Sequence, residues 1–375
     1  MKYYIIAGEA SGDLYGSNLI KEILKLDRKA NIRCWGGDLM KREGAHLIKH
    51  YKNHNYMGFI EVIRNLKTIL NNIKFCKTDI KNFNPDALIL IDFPGFNMRI
   101  AKYFHKSSFP VIYYIAPQVW AWRENRVEAI KKYINKLYVI LPFEKEFFKK
   151  YNIEALYFGH PLLEHVVNFQ KNTSSKRGDF FMKYGLDKSK GITSLIPGSR
   201  KQEIIKKLPV MLKAISITKD NNNIVIAGMN NFKKLYKSLI NGYNVKIIYD
   251  DTYNILNNSK VALVSSGTAT LETAFFKVPQ VVCYKSSWIS YSIAKSFIKV
   301  KYISLVNLIL NKKSVKELIQ NDLNSFKLSN ELNDLKDSNN TNNIKTDYLE
   351  LLEKCTGKDV SKNIANSMLK TIENF

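Results

Sequence analysis

The sequence predicts an α/β protein built from two doubly wound, Rossmann-like domains that face a central cleft. Its 375 residues exceed the roughly 250 to 300 that one hydrophobic core usually supports. Short apolar runs alternate with helix-like segments in both halves of the chain, a pattern typical of βαβ units and parallel sheets. A polar stretch with the composition of a linker, residues 170–179, interrupts that alternation. We therefore expect the domain boundary there.

The first half contains five short apolar runs that predict buried parallel strands. They occupy residues 3–7, 32–35, 87–91, 110–115 and 137–141. Helical patterns lie between them, including residues 14–26 and 59–83. We assign residues 1–168 to this N-terminal domain.

The same alternation restarts after the linker. Its strand-like runs occupy residues 192–196, 224–227, 245–248, 261–264 and 280–283. Helices are predicted to begin near Lys201, Asn231 and Thr268, which gives a C-terminal domain over residues 180–350.

The end of the chain differs in composition. After Leu323 it is rich in Asn, Ser and Asp, which predicts a solvated low-complexity tract. An amphipathic helix over residues 360–372 follows. We expect residues 351–375 to pack back across the domains.

The charge is strongly unbalanced. There are 58 Lys and Arg against 33 Asp and Glu, a net charge of +25, which predicts an anionic partner such as nucleic acid, an acidic membrane or a phosphorylated substrate. Nine of the cations are arginines, and arginine supplies the bidentate contacts to bases and phosphates. Nucleic acid is therefore disfavoured, and a lysine-rich coding bias is an alternative source of the excess.

The sequence shows no signal for export or membrane insertion. The apolar run at the N-terminus is too short for a signal peptide, and no run approaches the roughly 18 apolar residues of a spanning helix. The cysteines Cys34, Cys76, Cys283 and Cys355 lack metal-ligand or CxxC spacing. We expect a cytoplasmic protein with reduced thiols, no metal site and no cofactor.

The first predicted strand runs into a glycine-rich turn, GEASGDLYG, with three glycines at four-residue spacing. Such a turn at a helix start can bind an anion or a polar sugar ring, although tight turning alone would also explain the glycines. The spacing is not the GxGxxG of dinucleotide-binding enzymes. Glu9 and Asp13 flank Ser11, and two acids there would repel phosphate and suit hydroxyl groups.

Asp92 follows the buried run at residues 87–91 and precedes Phe-Pro-Gly. This puts a carboxylate at the carboxyl end of a parallel strand, where open α/β sheets bind ligands. Desolvation at such a position raises a carboxyl pKa and suits a general base. The alternative is an aspartate that only caps a helix or forms a turn.

Rare residues cluster just beyond the strand predicted at residues 110–115. Trp120 and Trp122 are two of four tryptophans, and Arg123 and Arg126 are two of nine arginines. Such a cluster beyond a strand end favours a binding surface. One tryptophan of the pair is expected to pack in the core.

The segment IPGSRKQE joins a strand to a helix in the second domain. Ser199 and Gln202 have the spacing of a capping box, which predicts that the helix starts at Ser199 with Arg200 in its first turn. A cation there opposes the helix dipole unless an anion binds at the same end. We therefore predict a diphosphate site.

A second strand-to-helix turn in that domain, SSGTATLE, contains Ser266, Gly267 and Thr268. Backbone N–H groups at such a helix start can contact a pyrophosphate. Glu272 lies one turn later on the same face as Thr268, where its carboxylate can accept both hydroxyls of a ribose. The two turns together favour a nucleotide site.

Two basic amphipathic segments, residues 57–77 and 288–302, predict contact with an anionic membrane surface. In the first, apolar residues recur at helical spacing beside basic residues. The residues expected at the membrane are Phe59, Ile60, Ile63, Arg64, Lys67 and Leu70. An ordinary surface helix packed on its own domain is the alternative for either segment.

Together these motifs resemble the lipid-A-disaccharide synthase family, bacterial glycosyltransferases with the two-domain GT-B architecture. The matching segments are AGEASGD (7–13), MGFIEV (57–62), IDFPGFN (91–97), APQVWAWR (116–123), LPFEKEF (141–147), GHPL (159–162), IPGSR (196–200), SSGTATLE (265–272), and YISLVNLIL with KELIQ (302–320). Val306 stands where the family usually has proline, and the Asn-rich stretch beyond Leu323 matches no family motif.

The resemblance implies transfer of 2,3-diacylglucosamine from its UDP derivative to 2,3-diacylglucosamine 1-phosphate, giving a β-1,6-linked disaccharide and UDP. It implies an inverting, metal-independent enzyme, peripheral on the inner face of the cytoplasmic membrane, and it allows a homodimer. Asp92 would take the proton of the acceptor hydroxyl. The residues implied for the UDP-sugar are Ser199, Arg200, Ser266, Gly267, Thr268, Glu272 and Asn307. Those implied for the acceptor side are Glu9, Ser11, Gly12, Asp13, Gln118, Trp120 and Arg123.

Rival functions remain open at this point. A UDP-N-acetylglucosamine epimerase or the peptidoglycan-building transferase has the same architecture and would share the glycine-threonine turn and the glutamate. Neither has the same need for the amphipathic helix at Met57. A basic nucleic-acid-binding protein is the non-enzymatic alternative, disfavoured by the scarcity of arginine, and a dehydrogenase is disfavoured by the missing GxGxxG.

Overall fold

The computed structural model describes residues 1–53, 65–122, 126–173, 177–286 and 301–375. These residues divide into two compact units. The first contains the described residues up to Pro161 together with Thr356–Phe375, and the second contains those between Leu162 and Cys355. Each unit is built around one parallel sheet, which confirms the predicted α/β class.

The first unit contains seven strands. They are β1 (Lys2–Ala7), β2 (Asn31–Gly36), β3 (His46–His50), β4 (Ala87–Ile91), β5 (Val111–Tyr114), β6 (Lys136–Tyr138) and β7 (Ala155–Leu156). They pair in parallel in the order β3-β2-β1-β4-β5-β6-β7. The order reverses between β1 and β4, and open sheets of this kind bind ligands outside the carboxyl ends of the strands at such a point.

Helices connect the strands of the first unit. They are α1 (Ala10–Leu26), α2 (Asp38–Arg42), α3 (Leu66–Phe83), α4 (Pro94–Phe104), α5 (Val119–Trp122), α6 (Val127–Tyr133) and α7 (Glu144–Lys149). The predicted helix over residues 59–83 is thus present from Leu66 onwards, and its first part lies outside the described residues.

The second unit repeats the design with six strands. They are β8 (Ile192–Ile196), β9 (Asn223–Gly228), β10 (Lys246–Tyr249), β11 (Val261–Ser265), β12 (Gln280–Tyr284) and β13 (Lys316–Ile319). They pair in parallel in the order β10-β9-β8-β11-β12-β13. The reversal here lies between β8 and β11, so the candidate ligand edge is formed by the loops that follow these two strands.

The described helices that follow β7 are α8 to α16. They are α8 (Pro161–Thr173), α9 (Arg177–Tyr184), α10 (Lys201–Thr218), α11 (Lys233–Leu239), α12 (Thr252–Asn258), α13 (Thr268–Phe275), α14 (Leu305–Leu310), α15 (Ser325–Asp334) and α16 (Ser338–Cys355). The last helix of the chain, α17 (Val360–Glu373), belongs to the first unit and packs against α1.

The central strands are the continuous apolar runs of the sequence. Every residue of β4, β5, β8 and β11 is buried, because helices cover both faces of a parallel sheet. The edge strands β3, β7 and β13 were not predicted. The sequence of β3, HLIKH, is mostly polar and only partly buried, so it lacks the apolar signal of a central strand.

The tract after Leu323 corrects one prediction. It is not a solvated low-complexity stretch but forms α15 and α16, whose buried residues include Leu328, Leu332, Tyr348 and Leu351. The Tyr348 hydroxyl donates to the Val278 carbonyl at 3.2 Å. Apolar residues three and four apart therefore define a core-facing stripe even when asparagines surround them.

Candidate active site

Asp92 stands where the first sheet reverses its strand order. It follows β4, and Glu9 follows the neighbouring strand β1. Asp92 and Phe93 both have left-handed backbone conformations, with φ of 46° and 49°, so the chain turns sharply into α4. The Asp92 carbonyl accepts hydrogen bonds from the Tyr113 hydroxyl at 2.6 Å and from the Asn97 side-chain amide at 2.8 Å. Two successive left-handed non-glycine residues are strained, and these contacts stabilise the turn.

The Asp92 carboxyl has an unusual affinity for protons. Burial raises its pKa to about 7, and the negative charge of Glu9 acts in the same direction. A hydrogen bond with the Phe93 backbone opposes the shift. Near neutral pH a group of this pKa is partly ionised and basic enough to take a proton from a hydroxyl. A carboxyl with such a raised pKa is chemically suited to accept a proton.

Gly8 shapes the floor beneath this turn. A Cβ at Gly8 would lie 2.2 Å from Cγ of Phe93, so only glycine lets the ring pack onto the β1–α1 loop. Phe93 stacks on Phe96 with ring centroids 5.3 Å apart, and Phe96 packs on Trp35 at 5.2 Å. These packed aromatic rings hold the backbone next to Asp92 in place.

The loop after β1 holds the residues predicted for the acceptor side. Glu9 is the N-cap of α1 and is half-buried, as is Ser11 in the first turn. Gly12 is buried, and a Cβ there would lie 3.1 Å from the Ala7 side chain. Glu9 and Ser11 are therefore partly exposed at the sheet edge, while Gly12 serves close packing.

Asp13 has a structural role that the sequence did not reveal. Its carboxylate is buried and accepts three backbone N–H groups, from Gly37 at 2.8 Å and from Leu39 and Met40 at 3.1 Å. These groups lie at the start of α2, so Asp13 caps that helix from a distance in sequence. We correct its assignment from acceptor contact to helix capping.

Trp120 is likewise part of the core. It is 9% exposed, its ring packs edge-on against Phe143, and its Nε1 donates to Oε1 of Glu144 at 3.0 Å. This confirms that one tryptophan of the pair packs inside and moves Trp120 from the acceptor side to a supporting role. Gln118 is exposed. Arg123 lies outside the described residues.

Glu144 is a buried carboxyl that sequence reasoning missed. It is 1% exposed, and its Oε2 accepts the backbone N–H groups of Ile140 and Leu141 at 3.2 and 2.9 Å. Burial raises its pKa to about 7, with a smaller contribution from the charge of Asp92. Like Asp92, Glu144 comes shortly after an apolar run, and this position in the sequence could have identified it as a candidate.

A cavity of about 680 Å³ opens beside the Asp92 turn, among α3, α4 and α6. Its wall is mainly apolar, with Phe93, Met98, Val119 and Ile130 among the lining side chains. Its polar lining includes the basic side chains Arg99, Lys102 and Arg126. The size is that of a small-molecule site.

The membrane-contact prediction falls partly on described residues. Lys67 is exposed, and Leu70 and its neighbour Leu66 are 53% and 47% exposed on α3. Phe59, Ile60, Ile63 and Arg64 lie outside the described residues. No helix in the described part of the chain is long and apolar enough to cross a membrane.

In the second unit, the loop after β8 places Arg200 at a helix start. Helix α10 begins at Lys201, and Arg200 is its N-cap, with Ser199 exposed just before it. The helix therefore starts later than the capping-box spacing of Ser199 predicted. The correction leaves the guanidinium at the positive end of α10, where an anion is favoured.

The loop after β11 forms the second predicted turn. Gly267 is the N-cap of α13 with φ of 112°, a conformation that favours glycine, and Thr268 opens the helix. Ser266 is half-buried. Glu272 accepts a hydrogen bond from the Tyr253 hydroxyl at 3.1 Å, and burial raises its pKa. Gly267 itself is exposed.

Lys207 is a second basic residue at this edge and was not predicted. It is 2% exposed, and its Nζ donates to the Ser265 hydroxyl at the end of β11 and to Oε1 of Glu203 at 3.3 Å. Burial lowers its pKa, and the charge of Arg200 adds to that shift. Lys207 therefore ties α10 to β11 directly below the two loops.

Asn307 is fully buried and fully bonded. Its side-chain amide donates to the Val315 carbonyl and to Glu317, and its Oδ1 accepts the N–H groups of Ser314 and Val315, all at 2.9 Å. An asparagine side chain has two donor and two acceptor positions. Nothing is left for a nucleotide, so we correct this assignment: Asn307 joins α14 to β13.

The chain matches a protein family described as Lipid-A-disaccharide synthetase over residues 3–371. It is similar to the lipid-A-disaccharide synthase of Geobacter metallireducens, at 34% identity over 335 residues that cover 87% of this chain and 85% of that protein. The lipid-A-disaccharide synthase of Syntrophus aciditrophicus is 36% identical over 334 residues, with the same coverage of 87% and 85%.

The fold is also similar to solved structures. The UDP-GlcNAc 2-epimerase from Methanocaldococcus jannaschii, in complex with UDP-GlcNAc and UDP, superposes with a TM-score of 0.64 at 13% identity. The match covers 99% of this chain and 100% of that one. At this identity the likeness shows a shared fold alone.

Proposed function

The chain belongs to the lipid-A-disaccharide synthetase family, and on that premise we propose that it joins two acylated glucosamine units. The donor would be UDP-2,3-diacylglucosamine and the acceptor 2,3-diacylglucosamine 1-phosphate, with a β-1,6-linked disaccharide and UDP as products. The observation that carries the proposal is the family match over nearly the whole chain. The geometry of the two sheet edges supports the chemistry.

The proposed reaction is a single displacement at the anomeric carbon of the donor. The acceptor 6-hydroxyl forms the new C–O bond while the bond to UDP breaks, which inverts the anomeric configuration. Asp92 takes the hydroxyl proton as the bond forms and later releases it to solvent. Its raised pKa supports this role, because a general base works best with a pKa near the operating pH.

The leaving UDP gains negative charge as it departs, and the second unit provides opposite charge. Arg200 and the N-terminal ends of α10 and α13 would hold the diphosphate. Ser199, Ser266 and Thr268 would add polar contacts. Lys207 supports the site from below through Ser265. We propose that these groups stabilise the leaving group without a metal ion.

The ribose contact is assigned to Glu272. Its carboxylate lies one turn into α13, and the bond from Tyr253 fixes its orientation. Burial raises its pKa, so a second donor would favour the ionised form. Two ribose hydroxyls could supply that hydrogen bonding.

We further propose that the protein binds peripherally to the inner face of the cytoplasmic membrane. Leu66 and Leu70 are exposed on α3 beside Lys67, which combines apolar surface with positive charge as interfacial helices do. The net charge of +25 favours an anionic surface. Both acylated substrates would be met there.

The test is a reaction of the purified protein with both acylated sugars in detergent micelles, analysed by mass spectrometry. We expect the acylated disaccharide 1-phosphate and one UDP for each disaccharide. An unacylated UDP-sugar offered in parallel should release little UDP. Absence of a disaccharide, or equal UDP release from the unacylated donor, would refute the proposed function.

A further inference from the structure

We propose that Arg99, Lys102 and Arg126 bind the phosphate of the acceptor while the cavity beside them receives part of an acyl chain. This rests on the proposed function and deepens it. Under this proposal the first unit selects a phosphorylated glycolipid over its neutral counterpart.

The cavity opens beside the turn that follows the proposed base. Phe93, Pro94 and Gly95 line it, and they directly follow Asp92 in the turn between β4 and α4. An acceptor sugar whose hydroxyl reaches Asp92 therefore has the rest of its molecule beside this cavity. The group proposed to deprotonate the acceptor lies in this unit, whereas the nucleotide is assigned to the second unit.

The wall of the cavity suits hydrocarbon. Ile69 from α3, Met98 from α4 and Ile130 from α6 line it, and methionine adapts readily to irregular apolar ligands. Its volume of about 680 Å³ leaves room for part of an acyl chain beside a sugar. Burial of such a chain removes apolar surface from water, which favours binding.

The charge at the rim is of one sign. Three basic side chains and no carboxylate are among the described residues that line the cavity. Arg99 and Lys102 are exposed on α4 and form no ion pair with the described residues. A phosphate monoester carries about −1.5 to −2 charges at pH 7 and is the complement of such a cluster.

Arg99 and Lys102 line the cavity from successive turns of α4. Gly95, Arg99 and Lys102 lie on one face, because they are four and seven residues apart. At 1.5 Å per residue, Arg99 lies about 6 Å and Lys102 about 10 Å beyond Gly95 along the helix axis. Arg126, the half-buried N-cap of α6, closes the cluster from the facing helix.

The test compares the binding of two glycolipids in neutral detergent micelles by calorimetry. The ligands are 2,3-diacylglucosamine 1-phosphate and 2,3-diacylglucosamine. We expect the wild-type protein to prefer the phosphorylated ligand. The double variant Arg99→Gln, Lys102→Gln should bind it about 10- to 100-fold more weakly and bind the neutral ligand unchanged. Lys106→Gln, Lys132→Gln removes the same charge outside the cavity lining and should change neither affinity.

A second variant tests the acyl part. Ala129 lines the cavity and is half-buried, so Ala129→Phe should narrow it. We expect both glycolipids to bind more weakly by a similar factor, with the preference for phosphate retained. Unchanged binding of both would overturn the assignment of the cavity to acyl chains.

Other outcomes separate this inference from its rivals. If the Arg99, Lys102 double variant loses sedimentation with phosphatidylglycerol vesicles but keeps the preference for phosphorylated ligand, these residues bind membrane lipid and the inference is wrong. Equal affinity of the wild-type protein for both ligands would overturn it as well. A protein that prefers the phosphorylated ligand but makes no disaccharide would refute the proposed function alone.

Discussion

The two units share one strand order but differ in charge where their sheets reverse direction. At the ends of β1 and β4 the first unit places the acids Glu9 and Asp92. At the ends of β8 and β11 the second unit places Arg200 and, beneath it, Lys207. The same topology thus provides one edge suited to removing a proton and another suited to holding an anion. The difference lies in the loops, as expected for doubly wound sheets.

The largest effect should come from removing the Asp92 carboxylate at the sheet edge of the first unit. Asp92→Asn keeps the side-chain shape but cannot take a proton, so we expect kcat to fall by about 10²- to 10⁴-fold. Affinity for UDP should stay unchanged, because the nucleotide is assigned to the second unit. Steady-state kinetics and UDP titration measure the two quantities, with the exposed Asp38→Asn as control. A variant that keeps wild-type kcat would remove Asp92 from the mechanism.

The corresponding change in the second unit removes the cation at its sheet edge. Arg200→Gln removes the guanidinium beside the proposed diphosphate, and we expect UDP to bind about 10- to 100-fold more weakly, since hydrogen bonds to charged groups contribute about 1.5 to 3 kcal/mol. Calorimetric titration with UDP measures this. Lys201→Gln removes an exposed charge from the next residue and should have little effect. If both variants bind equally well, the diphosphate lies elsewhere.

Asp13 distinguishes structural acids from chemical ones within the first unit. Asp13→Ala leaves three backbone N–H groups of α2 without their acceptor, so the free energy of unfolding should fall by about 1 to 3 kcal/mol. Urea denaturation measures it. Asp38→Ala, in the first turn of the same helix but exposed, should cost less. Equal stability of the two variants would contradict the capping role.

The smallest effect is expected at Lys207. Lys207→Gln removes the positive charge below the two loops, so UDP affinity should fall by about 2- to 10-fold, less than for Arg200→Gln. Calorimetric titration with UDP compares the affinities of the two variants. A loss at Lys207 larger than at Arg200 would make the buried lysine the principal cation of this edge.

The fold was largely predictable because helices cover both faces of each sheet, which forces the central strands to be apolar runs. The edge strands β3, β7 and β13 were not predicted, because edge strands need no such run. The helices after Leu323 were not predicted for a different reason. Composition there is dominated by asparagine, while folding depends on a few apolar residues such as Leu328 and Tyr348 that recur at helical spacing.

The placement of candidate-site residues was predictable only where it follows from the topology. Asp92 stands at a strand end, and strand ends could be located from the apolar runs. Asp13 and Asn307 have residue types suited to binding, but their partners are backbone groups that only the folded chain brings near. Lys207 was overlooked because its spacing from Glu203 resembles an ordinary surface ion pair on a helix.

We assign proton removal to the sheet edge of the first unit and anion binding to that of the second. The most direct test of this assignment is the pH dependence of kcat/KM for the acceptor. Below a pH of about 7 the Asp92 carboxyl is protonated and cannot act as a base, so we predict a rate that rises with pH and reaches half its plateau near pH 7. Glu9→Gln should move that midpoint to lower pH, because the charge of Glu9 helps to raise the pKa of Asp92. A midpoint near the ordinary aspartate value of 3.8, or one that Glu9→Gln leaves in place, would contradict the assignment of Asp92 as the base.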